Sequence, residues 1–574
     1  MSSVWIVIGS VAILGAAYRF YGSFISRKIF RASKSNRVPS EELRDDIDFV
    51  PTNREVLFGH HFASIAGTGP IVGPAIAVIW GWVPALVWII LGSVFAGAVH
   101  DYAALIMSTR KKGVSIGELS KEVINPRVRS LFLFVILFAL WIVVAIFGMV
   151  MAVIFKMYPQ SVLPVWIQIP IAMTVGWLAY RKKMSMTLLS IIAVVLMYLS
   201  IAVGIRMPFS MPAAAGLSPM SLWIIILFIY AYIASVLPVW SLLQPRDYVN
   251  SHQLIIGISL IVLGVLFANP RMVAPAFQAS PAGAPPMLPF LFITIACGAI
   301  SGFHSLVGSG TTSKQIRTEE DVRFVAYGGM LTEGFLGILV VIAVAAGIGI
   351  FARGDNGEVL RGVAAWRHHY ASWEAAQGLT AKVTAFVNGS ANMLAALKIP
   401  VEYGQALVGV LIASFAGTTL DTATRIQRYV VTELAEDYDI KPLKHRYTST
   451  AFVVLAAAAL AFSEGSGKGA LMLWPLFGAS NQLLAGLVLL VASVYIMKEL
   501  KTGVWPVAAP MFFMIVISSW AMAVGIAHFF NTGSKLRFVI GLLLLFLELW
   551  MIVEAFLCVK GLKARGARPE TGGH

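Results

Sequence analysis

Apolar runs of about 20 residues recur along the whole of this 574-residue chain, and each is long enough to cross a bilayer as an α-helix. Hydrophobic residues make up 58% of the chain and charged residues 12%. Soluble domains carry roughly 45–50% and about 25% respectively. The sequence therefore predicts an all-α polytopic membrane protein, and this excludes a secreted or cytosolic enzyme.

A hydropathy window of about 19 residues predicts about fifteen transmembrane helices. They are expected near residues 4–25, 58–80, 82–108, 130–155, 162–180, 184–205, 219–243, 252–269, 288–311, 327–351, 402–420, 447–463, 469–497, 504–530 and 536–559. The first run lacks a short basic leader and a clear cleavage site, so it is interpreted as a retained helix.

The 43 Lys and Arg residues concentrate in every second connection between the predicted spans. The positive-inside rule then places the N-terminus outside and the C-terminal tail in the cytoplasm. It makes 352–401 the one large external segment, which either caps an outer vestibule or lies as a solvated loop on the membrane interface. Because orientation accounts for the net charge of +15, nucleic acid is not an expected partner.

Three segments interrupt the apolar spans with residues that break or line a helix. In the first, residues 59–75, three Gly and two Pro fall between Gly67 and Ala75. A half-helix that starts near Pro74 would direct free N–H groups into this break, where they could hold an anion.

The second interrupted segment is 230–240, where Pro238 removes a backbone donor within a predicted span; the alternative is an ordinary proline kink. The third is 297–315, in which polar residues recur at helical spacing: Ser301, His304, Ser305 and Ser309. Such a stripe suits an ion or substrate path, and the alternative is small-residue helix packing.

The first two interrupted spans each lead a group of five helices, which is the pattern of inverted-repeat transporters. The predicted division is an N-terminal helix and basic cytoplasmic loop, a first repeat, a second repeat that includes 352–401, C-terminal helices and a cytoplasmic tail. Their bounds are 1–57, 58–206, 219–446, 447–560 and 561–574.

Ionisable residues within apolar spans need a partner or a function. Asp101 and nearby imidazoles could relay protons, the candidates being His60, His61, His100 and His304. The alternatives are structural histidines, or a metal site, although no His-Glu-x-x-His spacing is present. Asp247 and Asp421, which lie near Arg246 and Arg425, are interpreted as structural ion pairs or helix-end residues. No Walker-type motif is present, so transport would run on a gradient.

Several long motifs resemble the carbon starvation protein (CstA) family: Gly59–Ala77, Phe95–Asp101, Gln244–Tyr248, Cys297–Gln315, Thr418–Arg428 and Leu473–Ala485. The resemblance covers nearly the whole chain and implies an inner-membrane protein with the LeuT-like fold that takes up peptides or pyruvate under nutrient limitation. It also implies that the breaks at 67–73 and 235–238 face the substrate, with the stripe at 301–312 opposite them. Thr68 and Gly308 depart from the family motifs, which have Ala and Ser there.

The leading hypothesis is a secondary transporter that imports a small carboxylate, pyruvate or a short peptide, with protons or sodium ions. The expected substrate-binding residues are Ser64, Gly67, Gly69, Gly73, Ala75, Ser235, Ser305 and Ser309, and the expected coupling residues are His60, His61, His100, Asp101, His304 and Thr312. No cofactor is expected, and the sequence assigns no oligomeric state. The alternatives are a membrane-embedded metalloenzyme that uses His60, His61 and His100, and a transporter-like nutrient sensor.

Overall fold

The computed structural model of the chain describes residues 1–46, 48–214, 216–464 and 469–566. It describes only the backbone of Tyr180, Leu471, Met472 and 562–566. Most of the predicted tail, from residue 567 onward, lies outside the described residues.

Twenty-five α-helices account for most of the described residues. The first thirteen are α1 (Ser3–Ala16), α2 (Gly22–Phe24), α3 (Pro39–Glu42), α4 (Arg54–Ile65), α5 (Gly69–Ala77), α6 (Trp82–Leu91), α7 (Ala98–Arg110), α8 (Ile116–Val123), α9 (Pro126–Met157), α10 (Val162–Arg181), α11 (Met186–Arg206), α12 (Pro219–Val236) and α13 (Leu243–Ala268). The others are α14 (Met287–Thr294), α15 (Gly302–Gly310), α16 (Gly328–Ala345), α17 (Gly362–His369), α18 (Trp373–Gln377), α19 (Leu379–Leu394), α20 (Val401–Asp437), α21 (Arg446–Ala461), α22 (Gly469–Met472), α23 (Trp474–Tyr495), α24 (Trp505–Asn531) and α25 (Lys535–Gly566).

Short segments extend or join these helices. The π-helical ones are Ala17–Tyr21, Ile25–Ile29, Gly92–Gly97, Arg323–Tyr327 and Ile496–Leu500. The 3₁₀ ones are Val78–Trp80, Pro159–Ser161, Thr312–Lys314, Gly347–Ile350, Ala395–Leu397 and Lys441–Lys444. Two strands, β1 (Ala352–Arg353) and β2 (Val359–Leu360), pair antiparallel.

Within the described residues, twelve helices are long and apolar enough to cross a membrane, or thirteen if the bent pair α4–α5 is one span. Two further predicted spans correspond to shorter elements, namely the 16-residue α21 and the interrupted pair α14–α15. The prediction of an all-α polytopic membrane protein with discontinuous helices is therefore confirmed.

The first interruption lies where the sequence predicts it. Helices α4 and α5 are bent by 51° across the break at 66–68. The second half-helix begins at Gly69, so the expected start near Pro74 is wrong, and Pro74 lies inside α5. Pro70 occupies the first turn, where proline costs no hydrogen bond, and this allows the early start.

The second interruption differs from the prediction. Helix α12 ends at Val236, and Pro238 lies in the connection to α13, so it breaks no span. The second interrupted helix is α14–α15, with non-helical chain at 295–301, which overlaps the third segment, 297–315, that the sequence singled out. The repeat boundaries at 58–206 and 219–446 remain a prediction, and this position favours a second group that begins at α14.

The longest buried helices form the centre of the molecule. Helix α9 packs along α20, and α12 and α21 contact both. Helix α4 packs against α13, while α10 and α11 form an adjacent hairpin against α13.

Two ends of the bundle can be distinguished. The basic side carries the loops at 30–53, 111–115 and 311–322. The Thr52 amide donates to the Gln315 carbonyl at 3.0 Å and so joins the first loop to the third. The opposite side carries the segment 352–401. Its helix α19 has twelve buried residues and packs against α5, α16 and α20, so this part is not a solvated loop.

Candidate functional site

The two interrupted helices cross at their breaks. A side chain at Gly69 would overlap the Cβ and Sγ atoms of Cys297, and the Cβ of Pro70 comes within 3.5 Å of where a Cβ on Gly298 would lie. Gly298 has a φ of +89°, a conformation that glycine adopts without steric cost. Glycine is thus required here both for close approach and for backbone shape.

Helices α9 and α20 close the other sides of the first break. A Cβ on Gly67 would lie 2.5 Å from the Thr419 Oγ1 atom and 3.0 Å from the Phe147 ring. Both Thr68 Oγ1 and Thr419 Oγ1 are buried, and neither has a hydrogen-bond partner among the described residues. Buried hydroxyls are normally paired, so these two are available to a ligand.

The polar stripe of α15 is divided among several neighbours. The Asn481 side chain accepts from the Phe303 amide at 3.0 Å and so caps the N-terminus of α15. The Ser305 hydroxyl donates to the Gly302 carbonyl of its own helix at 2.6 Å. The Ser309 hydroxyl accepts from the Ile116 amide at 3.2 Å. Both serine hydroxyls are therefore engaged with protein backbone, and a role in substrate binding stays a prediction.

A cluster of ionisable groups lies directly on the second break. The Asp101 carboxylate contacts the His100 Nδ1 atom at 2.7 Å and the His304 Nδ1 atom at 2.8 Å. The His304 Nε2 atom lies 3.1 Å from a Glu333 oxygen. All four side chains are completely buried, and His304 connects the two carboxylates. Such a chain can hold a proton at either end of one imidazole.

A second charged cluster joins α4, α12, α13 and α20. Arg246 donates to Asp247 at 2.8 Å and forms an ion pair with Asp421, which also accepts from the Tyr230 hydroxyl at 2.8 Å. The His60 Nδ1 atom lies 2.9 Å from Asp247. The expected ion-pair role holds for Arg246, although it pairs with both carboxylates.

Arg425 does not pair with the adjacent Asp421. It donates to the carbonyls of Ala234, at 3.3 Å, and Leu237 at the end of α12. Arg425 thus stabilises the end of α12, a role that the sequence had not assigned to it.

We expect Asp421→Asn to destabilise the protein, because it removes one of the two carboxylate partners of the buried Arg246. Breaking a buried ion pair costs about 3–5 kcal/mol. Thermal unfolding in detergent measures the effect. The matched control is Glu320→Gln in the exposed Lys34–Glu320 pair, where exposed pairs contribute only about 0–1 kcal/mol. Equal melting temperatures for the two variants would contradict the assignment.

The remaining histidines have separate partners. His61 contacts Thr312 Oγ1 at 2.9 Å, so these two predicted coupling residues are neighbours. His60, His61 and His100 thus point to three different groups, and the metal site suggested for them does not form. One other group of potential ligands, Cys297, His304 and Glu333, places its donor atoms within 4.8 Å of one another.

Several predicted substrate residues lie away from the crossing. Ser64 Oγ donates to Asp247 at 3.5 Å, and the Ala75 carbonyl accepts from the Tyr370 hydroxyl at 2.6 Å. Ser235 is buried near the end of α12, and its hydroxyl has no partner among the described residues. Of the predicted set, Gly67, Gly69 and Gly73 are the residues at the crossing.

Four site residues received no role from the sequence: Thr68, Glu333, Thr419 and Asn481. Glu333 is a lone carboxylate in an apolar span, a signal that could have placed it with Asp101. Thr419 and Asn481 lie in the family-like motifs but have no local signal that links them to the breaks.

A cavity of about 540 Å³ opens at the basic side. Helices α8, α9, α15 and α20 line it, and it reaches Leu306 and Ser309. Charged side chains surround it, among them Lys112, Arg129, Lys314 and Glu433. The cavity therefore approaches the interrupted helix α15 from the basic side.

Two interrupted helices that cross beside buried ionisable groups, within a bundle of apolar helices, define a secondary transporter with discontinuous helices. The chain belongs to the carbon starvation protein CstA family, whose profile matches residues 2–521. This confirms the resemblance read from the motifs.

The relatives are named as transporters rather than enzymes. The peptide transporter CstA of Bacillus subtilis is 36% identical over 87% of this chain and 86% of its own length. The pyruvate/proton symporter BtsT of Escherichia coli is 32% identical over 94% of this chain and 83% of its own length. Among solved structures, a manganese transporter of Eremococcus coleocola aligns at a TM-score of 0.48 and 13% identity, covering 90% of this chain and 99% of that one.

Proposed function

We propose that this protein imports a small carboxylate-bearing nutrient, pyruvate or a short peptide, in symport with protons. The observation that carries the proposal is the buried Asp101–His304–Glu333 chain placed directly on the second break. The names of the two relatives support the substrate class and, for one of them, the coupling ion.

The substrate carboxylate is assigned to the first break. Helix α5 begins there at Gly69, and its positive dipole end, together with the Gly69 amide, favours an anion. The unpartnered hydroxyls of Thr68 and Thr419 supply two further donors. The substrate site is thus made of Gly67, Thr68, Gly69 and Thr419, while Ser305, Ser309, Ser235 and Ala75 are left to other roles.

The coupling proton is assigned to the second break. An uncompensated charge at mid-membrane costs about 2.5–3.5 kcal/mol, so a proton that neutralises one carboxylate of this cluster changes the balance between conformations. Cys297 lies beside Gly69, and its sulfur lies within 4.8 Å of the His304 and Glu333 donor atoms, so protonation of the cluster would alter the packing at the crossing. Imidazole and carboxylate groups favour a proton over sodium here.

The orientation follows from the basic loops. The basic side is assigned to the cytoplasmic face of the inner membrane, which places the N-terminus outside and the C-terminus inside. The cavity at the basic side is then the cytoplasmic exit, and segment 352–401 covers the outer entrance.

Uptake by proteoliposomes tests the proposal. Labelled pyruvate and labelled dipeptides are offered under an imposed pH gradient, an imposed sodium gradient, or neither. Accumulation of one substrate above equilibrium is expected with the pH gradient only. Accumulation with sodium alone would overturn the coupling assignment, and no accumulation of either substrate would overturn the function.

Metal analysis of the purified protein tests the remaining alternative, a membrane-embedded metalloenzyme. A stoichiometric transition metal that is lost on Cys297→Ser would assign Cys297, His304 and Glu333 to a metal instead of a proton.

A further inference from the structure

Lys382 is a buried amine in the segment that covers the outer side. It lies on α19, and only 6% of the residue is exposed. Its Nζ atom lies 5.3 Å from the centre of the Trp474 ring. Among the described residues, no carboxylate lies within 4 Å of this Nζ atom and no hydrogen bond engages it.

A buried lysine without a counter-ion is unfavourable, because an ammonium group loses its hydration on burial. A tryptophan face compensates only part of that loss. Burial accordingly lowers the pKa of Lys382 to about 7. An anion that arrives beside this amine would favour its charged form and would be bound in return.

The position of Lys382 connects it to the first break. The Trp474 ring lies 5.7 Å from the Phe477 ring, and Phe477 lies 6.3 Å from Phe147. Phe147 in turn contacts the space beside Gly67. The rings of Trp474, Phe477 and Phe147 therefore form a row from the Lys382 amine to the first break, where the substrate carboxylate is assigned.

The surrounding helices make this the outer approach to the site. Helix α19 packs against α5, the half-helix that begins at the break, and against α9 and α20. Trp474 begins α23, whose Asn481 caps α15. These contacts place Lys382 and Trp474 between segment 352–401 and the helices that surround the first break.

We infer that Lys382 and Trp474 form an outer subsite that receives the substrate's carboxylate before it reaches the break at 66–68. This inference rests on the proposed function and orientation. The ligand class is a small carboxylate, either pyruvate or the C-terminal carboxylate of a short peptide. The methylene and aromatic surfaces beside the amine suit the short apolar part of such a molecule.

The test is the concentration dependence of uptake by Lys382→Met, which keeps the length of the side chain and removes its charge. The KM for pyruvate, or for the dipeptide that the wild type transports, is expected to rise about tenfold, which corresponds to about 1.4 kcal/mol. The maximal rate should stay within about twofold, because the lost interaction serves binding more than the later steps. Lys382→Arg, which keeps the charge, should restore the KM to within about threefold.

Lys398→Met is the matched control, since Lys398 is an exposed lysine of the same external segment. Its KM should equal that of the wild type. If wild type and Lys398→Met transport normally and Lys382→Met has an unchanged KM, the subsite is wrong while the proposed function stands. If neither wild type nor control accumulates a carboxylate, the proposed function itself has failed. Should Lys382→Met not fold, Lys382→Gln and Lys382→Arg give the same comparison of neutral and charged side chains.

Discussion

Replacing Asp101 by Asn is expected to reduce pH-driven accumulation at least tenfold while exchange of substrate across the membrane continues. Asp101 is the carboxylate that contacts both His100 and His304, at 2.7 Å and 2.8 Å. Asparagine has nearly the same shape but cannot exchange a proton, so the variant should bind and release substrate without coupling. Concentrative uptake under a pH gradient and counterflow without a gradient measure the two activities separately.

Glu554→Gln is the control for this experiment. Glu554 is another carboxylate of a membrane helix, but it accepts from Asn125 at 2.9 Å, far from the breaks. We expect near-normal accumulation from this variant. Full pH-driven accumulation by Asp101→Asn would show that the coupling proton binds elsewhere, whereas loss of exchange as well would indicate a structural role for the cluster.

Gly73→Ala is expected to abolish transport, with a fall in thermal stability. The added Cβ would overlap the Thr294 carbonyl oxygen and would lie 3.3 Å from the Ile295 Cα atom. Both are backbone atoms of the second interrupted helix, so the crossing must separate to make room. Overpacking of this kind costs about 1–3 kcal/mol. Gly9→Ala in α1 is the control, because nothing lies within 4 Å of its added Cβ.

A rescue experiment sharpens this prediction. At Gly69, the added Cβ would meet the side chain of Cys297 rather than backbone. We therefore expect Cys297→Gly to restore part of the uptake lost in Gly69→Ala, but none of that lost in Gly73→Ala. Equal rescue of both variants would mean that the helices do not cross with this contact pattern. Fluorescence-detected size-exclusion chromatography and uptake give the two readouts.

The sequence was sufficient to predict the first break but not the exact start of its second half. Gly67, Gly69 and Pro70 exclude a continuous helix, because two glycines and a proline in four residues offer little to sustain one. Pro74 was the misleading residue. Composition alone does not show whether a proline begins a helix or is tolerated within it. A proline inside a helix leaves the carbonyl four residues earlier without its donor, and the surrounding chain decides whether this is tolerated.

The second break shows the opposite difficulty. Pro238 follows a long apolar run without a change in hydropathy, so the end of α12 at Val236 leaves no signal in the window. The true interruption at 295–301 contains no proline at all. It is held open by close packing, with Gly298 against Pro70 and Ser301 within hydrogen-bond reach of Asn481 at 3.0 Å. Contacts between distant residues shape this break, which overlaps the third segment, 297–315, that the sequence singled out by its glycines and hydroxyl residues.

The sequence could not identify the partners of the ionisable residues either. His60 and Asp247 are 187 positions apart, and His304 and Asp101 are 203 apart. A lone charge in an apolar span shows that a partner must exist, but the partner's identity depends on which helices become neighbours. This is why Asp101 and His304 could be selected individually, while Glu333 was not assigned to the same group.

The hydrogen bond from Tyr370 to the Ala75 carbonyl ties the covering segment to the last turn of α5. Since α19 also packs directly on α5, we expect segment 352–401 and α5 to move together. Any tilt of α5 that admits a solute must therefore also move segment 352–401. An antibody fragment bound to residues 362–369 should consequently slow the whole transport cycle, although it contacts none of the residues assigned to the substrate.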